Sequence, residues 1–163
     1  VWFIYVAVLI PTMETNYIEL VGETAEDVLE ELATYALENG YVEEPYVNAL
    51  LERERVHPTG LRIDRETDPF GIAIPHADPG HVREEAVVLG LPESPVTFHS
   101  MDDKDSQIQI DAVVLLLVTD TDGYTAFLSD LTTLFQDDAF ATAVLDRDAD
   151  RTLELILDCT VDI

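Results

Sequence analysis

Positive charge is what this 163-residue chain has least of: eight Lys and Arg stand against 34 Asp and Glu, a formal net charge of -26. Lys104 is the only lysine. A surface so poor in cations repels phosphate over most of its area, which argues against binding DNA or RNA. Cysteine is nearly missing as well. Cys159 stands alone, so no internal disulfide can form, a state compatible with the cytoplasm. It sits among Leu153, Leu155 and Ile156, a pattern that predicts a buried thiol rather than a reactive one. Long apolar runs are lacking too. The wholly apolar segment 1–10 is about half of the ~20 residues a bilayer-crossing helix needs, and no basic region precedes it. No repeat, low-complexity tract or linker divides the chain, so one domain over 13–163 is expected. Residues 1–12 read as an extension outside it, with an extra edge strand as the alternative.

Apolar residues are plentiful at 47%, enough for a sizeable core. The acids are spread through this apolar, periodic sequence instead of being gathered in a tail, which excludes a disordered acidic segment. Such a composition suits high salt, where the Debye length shrinks to ~3 Å at 1 M and self-repulsion costs little. A halophilic source is the expectation.

Periodicity divides the chain into alternating strands and helices. Residues 16–21 alternate as a strand. Thr24 is placed to cap a helix with Glu26 and Asp27 in its first turn and Gly40 at its end. A second helix is predicted from Pro45 to about Arg55, with Val47, Leu50 and Leu51 facing inward. Pro58, Gly60 and Pro69 mark 57–69 as a loop. Strands are predicted at 70–74, 85–90 and 108–118, the last apolar enough for burial on both faces. Helices are predicted at about 124–136, 137–145 and 149–158, the first with Phe127, Leu128, Leu131, Leu134 and Phe135 inward. The interleaving predicts an α/β fold with a mixed, partly parallel sheet flanked by helices.

Within this frame one segment stands out. Gly71-Ile72-Ala73-Ile74-Pro75-His76 is a short apolar strand that stops at a proline. Pro75 has no amide hydrogen and a fixed φ, so the strand ends there and His76 leaves the sheet. An imidazole with an ordinary pKa of ~6.5 is largely neutral at pH 7 and nucleophilic. Taken alone, His76 reads first as a structural histidine at a strand end.

Its surroundings weigh on the choice. Residues 53–83 hold five of the eight bases, Arg53, Arg55, Arg62, Arg65 and Arg83, and five acids, Glu54, Asp64, Glu66, Asp68 and Asp78. This window is therefore neutral, and all of the net negative charge lies outside it. Arginine holds phosphoryl oxygens with a planar, charge-assisted fork. Either the window is kept neutral to receive a dianion, or its arginines simply pair with neighbouring acids.

These residues resemble the enzyme IIA domain of the sugar phosphotransferase system, of the fructose/mannitol/galactitol type. The resemblance rests on Gly71 to His76, on the preceding Leu51-Glu52-Arg53-Glu54, and on Leu128-Ser129-Asp130-Leu131 after a leucine-rich strand, and it covers about 14–160. Pro58-Thr59-Gly60-Leu61 and the His76-Ala77-Asp78 continuation to His81-Val82 are closest to the galactitol-type branch. The resemblance implies a IIA type 2 fold and phosphoryl transfer between proteins without metal or organic cofactor. A phosphohistidine carrier protein would phosphorylate His76 on its tele nitrogen. His76 would pass the group to a cysteine of enzyme IIB, and a membrane enzyme IIC would take up the sugar. Arg53 would neutralise phosphoryl oxygens, and Thr59 could donate a hydrogen bond. Mannitol-type members carry a second active-site histidine where this chain has Tyr124, so either Tyr124 or His81 would take over part of that role, or the role is dispensable in this branch. The resemblance implies a cytoplasmic protein with no direct insertion into the membrane.

Two other readings follow from the same residues. One is a regulatory module of this fold, phosphorylated on His76 without feeding transport. The other is a metal-dependent hydrolase using His76, His81 and Asp78, for which a third ligand is wanting. His57 and His99 carry no case of their own.

The charge reading is open to a direct test. The melting temperature followed by circular dichroism is expected to rise steeply from dilute buffer to molar potassium chloride. Full stability without salt would remove the argument for a halophilic source.

Overall fold

The computed structural model describes residues 13–66, 69–119 and 121–161, with the backbone alone for 121–124 and 160–161. Residues 1–12, expected as an extension or an edge strand, lie outside the described residues. In chain order the elements are β1 (Glu14–Leu20), α1 (Ala25–Glu38), α2 (Pro45–Val56), β2 (Gly60–Ile63) and β3 (Phe70–Ala73). A short 3-10 turn follows at Pro79–His81. Then come β4 (Ala86–Pro92), β5 (Val96–His99), β6 (Gln107–Ile110), β7 (Ala112–Leu117), α3 (Thr121–Leu134), α4 (Asp138–Leu145) and α5 (Ala149–Val161).

Five strands form one sheet in the order β1-β4-β7-β3-β2. β1 runs parallel to β4 and β3 parallel to β7, while β4–β7 and β2–β3 are antiparallel. The sheet is therefore mixed and partly parallel, as predicted. Both of its faces are covered. Along β7, Ala112, Val114 and Leu116 point into one core with Phe127, Leu131, Phe140, Leu153 and Ile156 of α3–α5 and Phe135 just after α3. Val113, Leu115 and Leu117 point into the other, with Val28, Leu32 and Ala36 of α1 and Tyr46 and Leu50 of α2. Side chains alternate across a strand, so a strand covered on both sides reads as an unbroken apolar run.

The helix ends follow their predicted chemistry. The Thr24 side chain accepts from the Asp27 amide at 3.1 Å, satisfying one of the amides orphaned at the start of α1. Gly40, at φ +76°, turns the chain away after Asn39. Pro45 occupies the first turn of α2. In α2 the buried side chains are Tyr46 and Leu50, with Val47 and Leu51 half-buried beside them. Cys159 is half-buried against the core under α3–α5.

Three expectations are corrected. The loop predicted at 57–69 contains β2, paired from Gly60↔Ala73 to Ile63↔Phe70. The strand predicted at 108–118 is two strands broken at Asp111. β5, an unforeseen strand, draws β6 away into a separate antiparallel pair, from Val96↔Ile110 to His99↔Gln107. At the break, the Asp111 carboxylate accepts from the Gly71 amide at 2.9 Å and the Asp111 amide donates to the Gly71 carbonyl at 2.8 Å. A side chain here stands in for a ladder partner.

Gly71 is required at that junction, because a Cβ would lie 1.9 Å from the Gln109 carbonyl oxygen. Gly71→Ala is expected to destabilise the fold by at least ~2 kcal/mol, read as a lower denaturant midpoint, because backbone would have to move. An unchanged midpoint would show that β6 can give way freely.

Candidate functional site

The site is built where β3 runs out. Ile74 makes the last rung on the β2 side, its amide donating to the Thr59 carbonyl at 3.3 Å. Pro75 offers no amide hydrogen, and its carbonyl accepts from Leu116 at 3.4 Å. The chain then leaves the sheet, and His76 Nδ1 lies 2.9 Å from the Ile74 carbonyl oxygen. A carbonyl only accepts, so Nδ1 carries the hydrogen and the lone pair of the neutral ring is on Nε2. His76 is half-buried on the wall of a cleft of about 540 Å³. Ala49, Glu52 and Arg53 of α2 face it together with Asp78 and Val118.

Burial holds the His76 pKa below the ordinary imidazole value of 6.5 by disfavouring the imidazolium. The Ile74 hydrogen bond acts the other way, and the charges of Arg53 and His57 add to the lowering. His76 is therefore neutral at pH 7, the form a nucleophile needs.

Arg53 stands apart from the other arginines of its window. Arg55 pairs with Glu26 at 2.8 Å, Arg62 with Asp64 at 3.0 Å and Arg83 with Glu43 at 3.5 Å, and Arg65 pairs with Asp138. Among the described residues Arg53 makes no ion pair and lines the cleft beside His76. So four of the five arginines follow the ordinary pairing reading, and one serves the cleft. Of the two carboxylates on the cleft wall, that of Asp78 accepts from the Gly80 amide at 2.8 Å and caps the 3-10 turn.

The remaining site candidates fall in different places. Thr59 is almost fully buried, and its hydroxyl and amide both donate to the Glu54 carboxylate at 2.8 Å. Its hydroxyl hydrogen is spent on Glu54, which corrects the role expected of it toward a phosphoryl group. His81 Nδ1 lies 4.0 Å from Glu43 Oε2, outside the cleft lining, because the His81 carbonyl accepts from the Glu43 amide at 2.9 Å and ties that turn to the start of α2. The Tyr124 side chain lies outside the described residues. Among the described residues no three His, Cys, Asp or Glu side chains gather to hold a metal, so the hydrolase reading lacks its ligand set.

His57 was not singled out from the sequence. It caps α2, its amide donating to the Arg53 carbonyl at 2.7 Å, and its exposed ring acts on His76 through its charge. Its position four residues after Arg53, at a helix end beside the proline-terminated strand, was the available signal.

The titration of His76 tests this electrostatic picture. Followed by NMR, its midpoint is expected below 6.5 and to move up in Arg53→Met, since removing a cation eases protonation. A midpoint unmoved by Arg53→Met would place Arg53 too far away to act.

Comparison with known proteins adds the following. Residues 12–159 match the family model described as phosphoenolpyruvate-dependent sugar phosphotransferase system, EIIA 2. The galactitol-specific EIIA component of Escherichia coli (strain K12) is 32% identical over 92 residues, 56% of this chain and 58% of that protein. The fructose-like EIIA component of the same strain is 30% identical over 86 residues, 52% of this chain and 53% of that protein. The matched stretches thus span little more than half of each relative. Among solved structures, the complex of enzyme IIAMTL and phosphorylated enzyme IIBMTL from E. coli aligns with a TM-score of 0.65 at 22% identity, covering 88% of this chain and 94% of that one, a likeness of fold. Among the described residues no helix is long and apolar enough to cross a membrane.

Proposed function

The chain belongs to the EIIA 2 family of the phosphoenolpyruvate-dependent sugar phosphotransferase system, and from that premise we propose that it carries phosphoryl groups on His76 in a galactitol-type system. The observation that carries the proposal is the Nδ1 contact to the Ile74 carbonyl, 2.9 Å long, which directs the lone pair of a neutral imidazole to Nε2 beside Arg53.

In the first step a phosphohistidine carrier protein docks over the cleft. Nε2 of His76 attacks phosphorus, the nitrogen–phosphorus bond of the donor breaks, and the donor ring leaves with the electron pair. The tele-phosphohistidine keeps its Nδ1 hydrogen on Ile74. In the second step a cysteine thiolate of enzyme IIB attacks the same phosphorus and His76 leaves as neutral imidazole. A membrane enzyme IIC then receives the sugar. No bond to carbon forms or breaks, so the work is positioning and charge stabilisation. Arg53 supplies the cation for the non-bridging oxygens. The cytoplasm is the compartment in which such a relay would run, and a single thiol suits it. Both curated relatives carry names of sugar-transport components, which favours transport over a purely regulatory role for the same histidine.

Phosphoenolpyruvate, enzyme I and the phosphocarrier, incubated with the protein in high salt, are expected to add one acid-labile phosphoryl group, read by intact mass. His76→Ala should take up none, and Arg53→Gln should slow uptake by about a hundredfold. Addition of enzyme IIB should discharge the label. Absence of labelling with active partners would overturn the carrier reading, and a label that IIB cannot discharge would move the protein to regulation.

A further inference from the structure

Glu54 is an odd residue to find where it is. It lies in the last turn of α2, where the negative end of the helix dipole disfavours a carboxylate. It is also half-buried, which pushes its pKa up. Its two oxygens nevertheless accept both donors of one residue: Oε1 takes the Thr59 amide and Oε2 the Thr59 hydroxyl, each at 2.8 Å. Thr59 is 2% exposed, so neither donor has water as a substitute. Beyond Thr59 the connections continue. Its carbonyl accepts from the Ile74 amide at 3.3 Å, and the Ile74 carbonyl meets His76 Nδ1 at 2.9 Å. Ile74 is itself buried, at 2% exposure.

We propose that Glu54 is a positioning residue for His76: by clamping Thr59 it holds the Ile74 amide, and so the backbone of the buried Ile74, whose carbonyl in the next peptide unit selects the ring tautomer that presents Nε2. The clamp lies on the β2 side of the strand end, while on the β7 side the Pro75 carbonyl accepts from the Leu116 amide at 3.4 Å. The β2–β3 register ends at Gly60↔Ala73, and Pro75 cannot extend it. The Thr59–Ile74 rung is therefore an extra one, held by a side chain instead of a following pair of strand residues. Glu54 neighbours Arg53 in sequence, so one turn of α2 delivers a cation to the cleft and an anchor behind it.

The proposal deepens the phosphoryl-carrier reading and rests on it for its purpose, but its test does not need phosphorylation. Long-range ¹H–¹⁵N NMR of the His76 ring reports the tautomer directly. In the wild type the Nδ1–H form should dominate. In Glu54→Ala, which loses both bonds to Thr59, the minor tautomer should gain at least roughly fivefold, the worth of one hydrogen bond, with the amide spectrum otherwise preserved. Glu54→Gln should restore the wild-type ratio, since its carbonyl can accept the amide while its NH₂ donates to the Thr59 hydroxyl oxygen. Thr59→Val, which keeps the amide bond alone, should fall between, and it decides the matter if Glu54→Ala does not fold. An unchanged tautomer ratio in folded Glu54→Ala or in Thr59→Val overturns the proposal. A shifted ratio in a protein that partners fail to phosphorylate leaves the positioning role standing and overturns the carrier reading.

Discussion

A proline supplies no amide hydrogen, and at residue 75 that missing donor governs how the sheet ends. The Ile74 amide donates the last β2-side rung to the Thr59 carbonyl, and the carbonyl of Ile74 is turned to the ring of His76. The histidine thus leaves the sheet with one nitrogen committed and the other chemically distinct. Its half-buried position then sets its protonation. Cleft and tautomer both trace to a strand that ends at Ala73, three residues before the histidine, and β3 pairs there with β7, which is buried on both faces.

The charge distribution makes sense once the arginines are sorted by partner. In a chain of net charge -26, an unpaired cation is scarce, and four of the five arginines in the neutral window are matched to acids. Such pairs contribute little stability where they are exposed. None of the four pairs lines the cleft. Arg53 lines the cleft with His76 and has no ion-pair partner among the described residues, and it is this contrast that supports the role proposed for it.

Much of this was legible beforehand. Thr24, Gly40 and Pro45 announced their helix ends because capping is a local matter, settled within four residues. Gly71 to His76 was legible for the same reason. The features that were missed depend on distant partners. The break at Asp111 is invisible in an apolar run, because its cause is a carboxylate bonded to Gly71, forty residues away in sequence. β2 and β5 are four residues long, too short for alternation to outweigh flanking proline and glycine. Thr59 looked like a free hydroxyl because nothing in Pro58-Thr59-Gly60 reveals that Glu54 folds back onto it.

The topology has a consequence for how the chain is made. β1 finds its parallel neighbour at the register Glu14↔Ala86, and β4 in turn needs β7, which ends at Leu117. A ribosome working from the N-terminus therefore completes α1 and α2 long before the sheet they cover exists, and their apolar faces wait exposed. The same segment carries Glu26, Asp27, Glu30, Glu31, Glu38, Glu43 and Glu44. Nascent copies on neighbouring ribosomes repel one another through these acids while they wait, so the negative surface of the finished protein also guards its unfinished form against sticking.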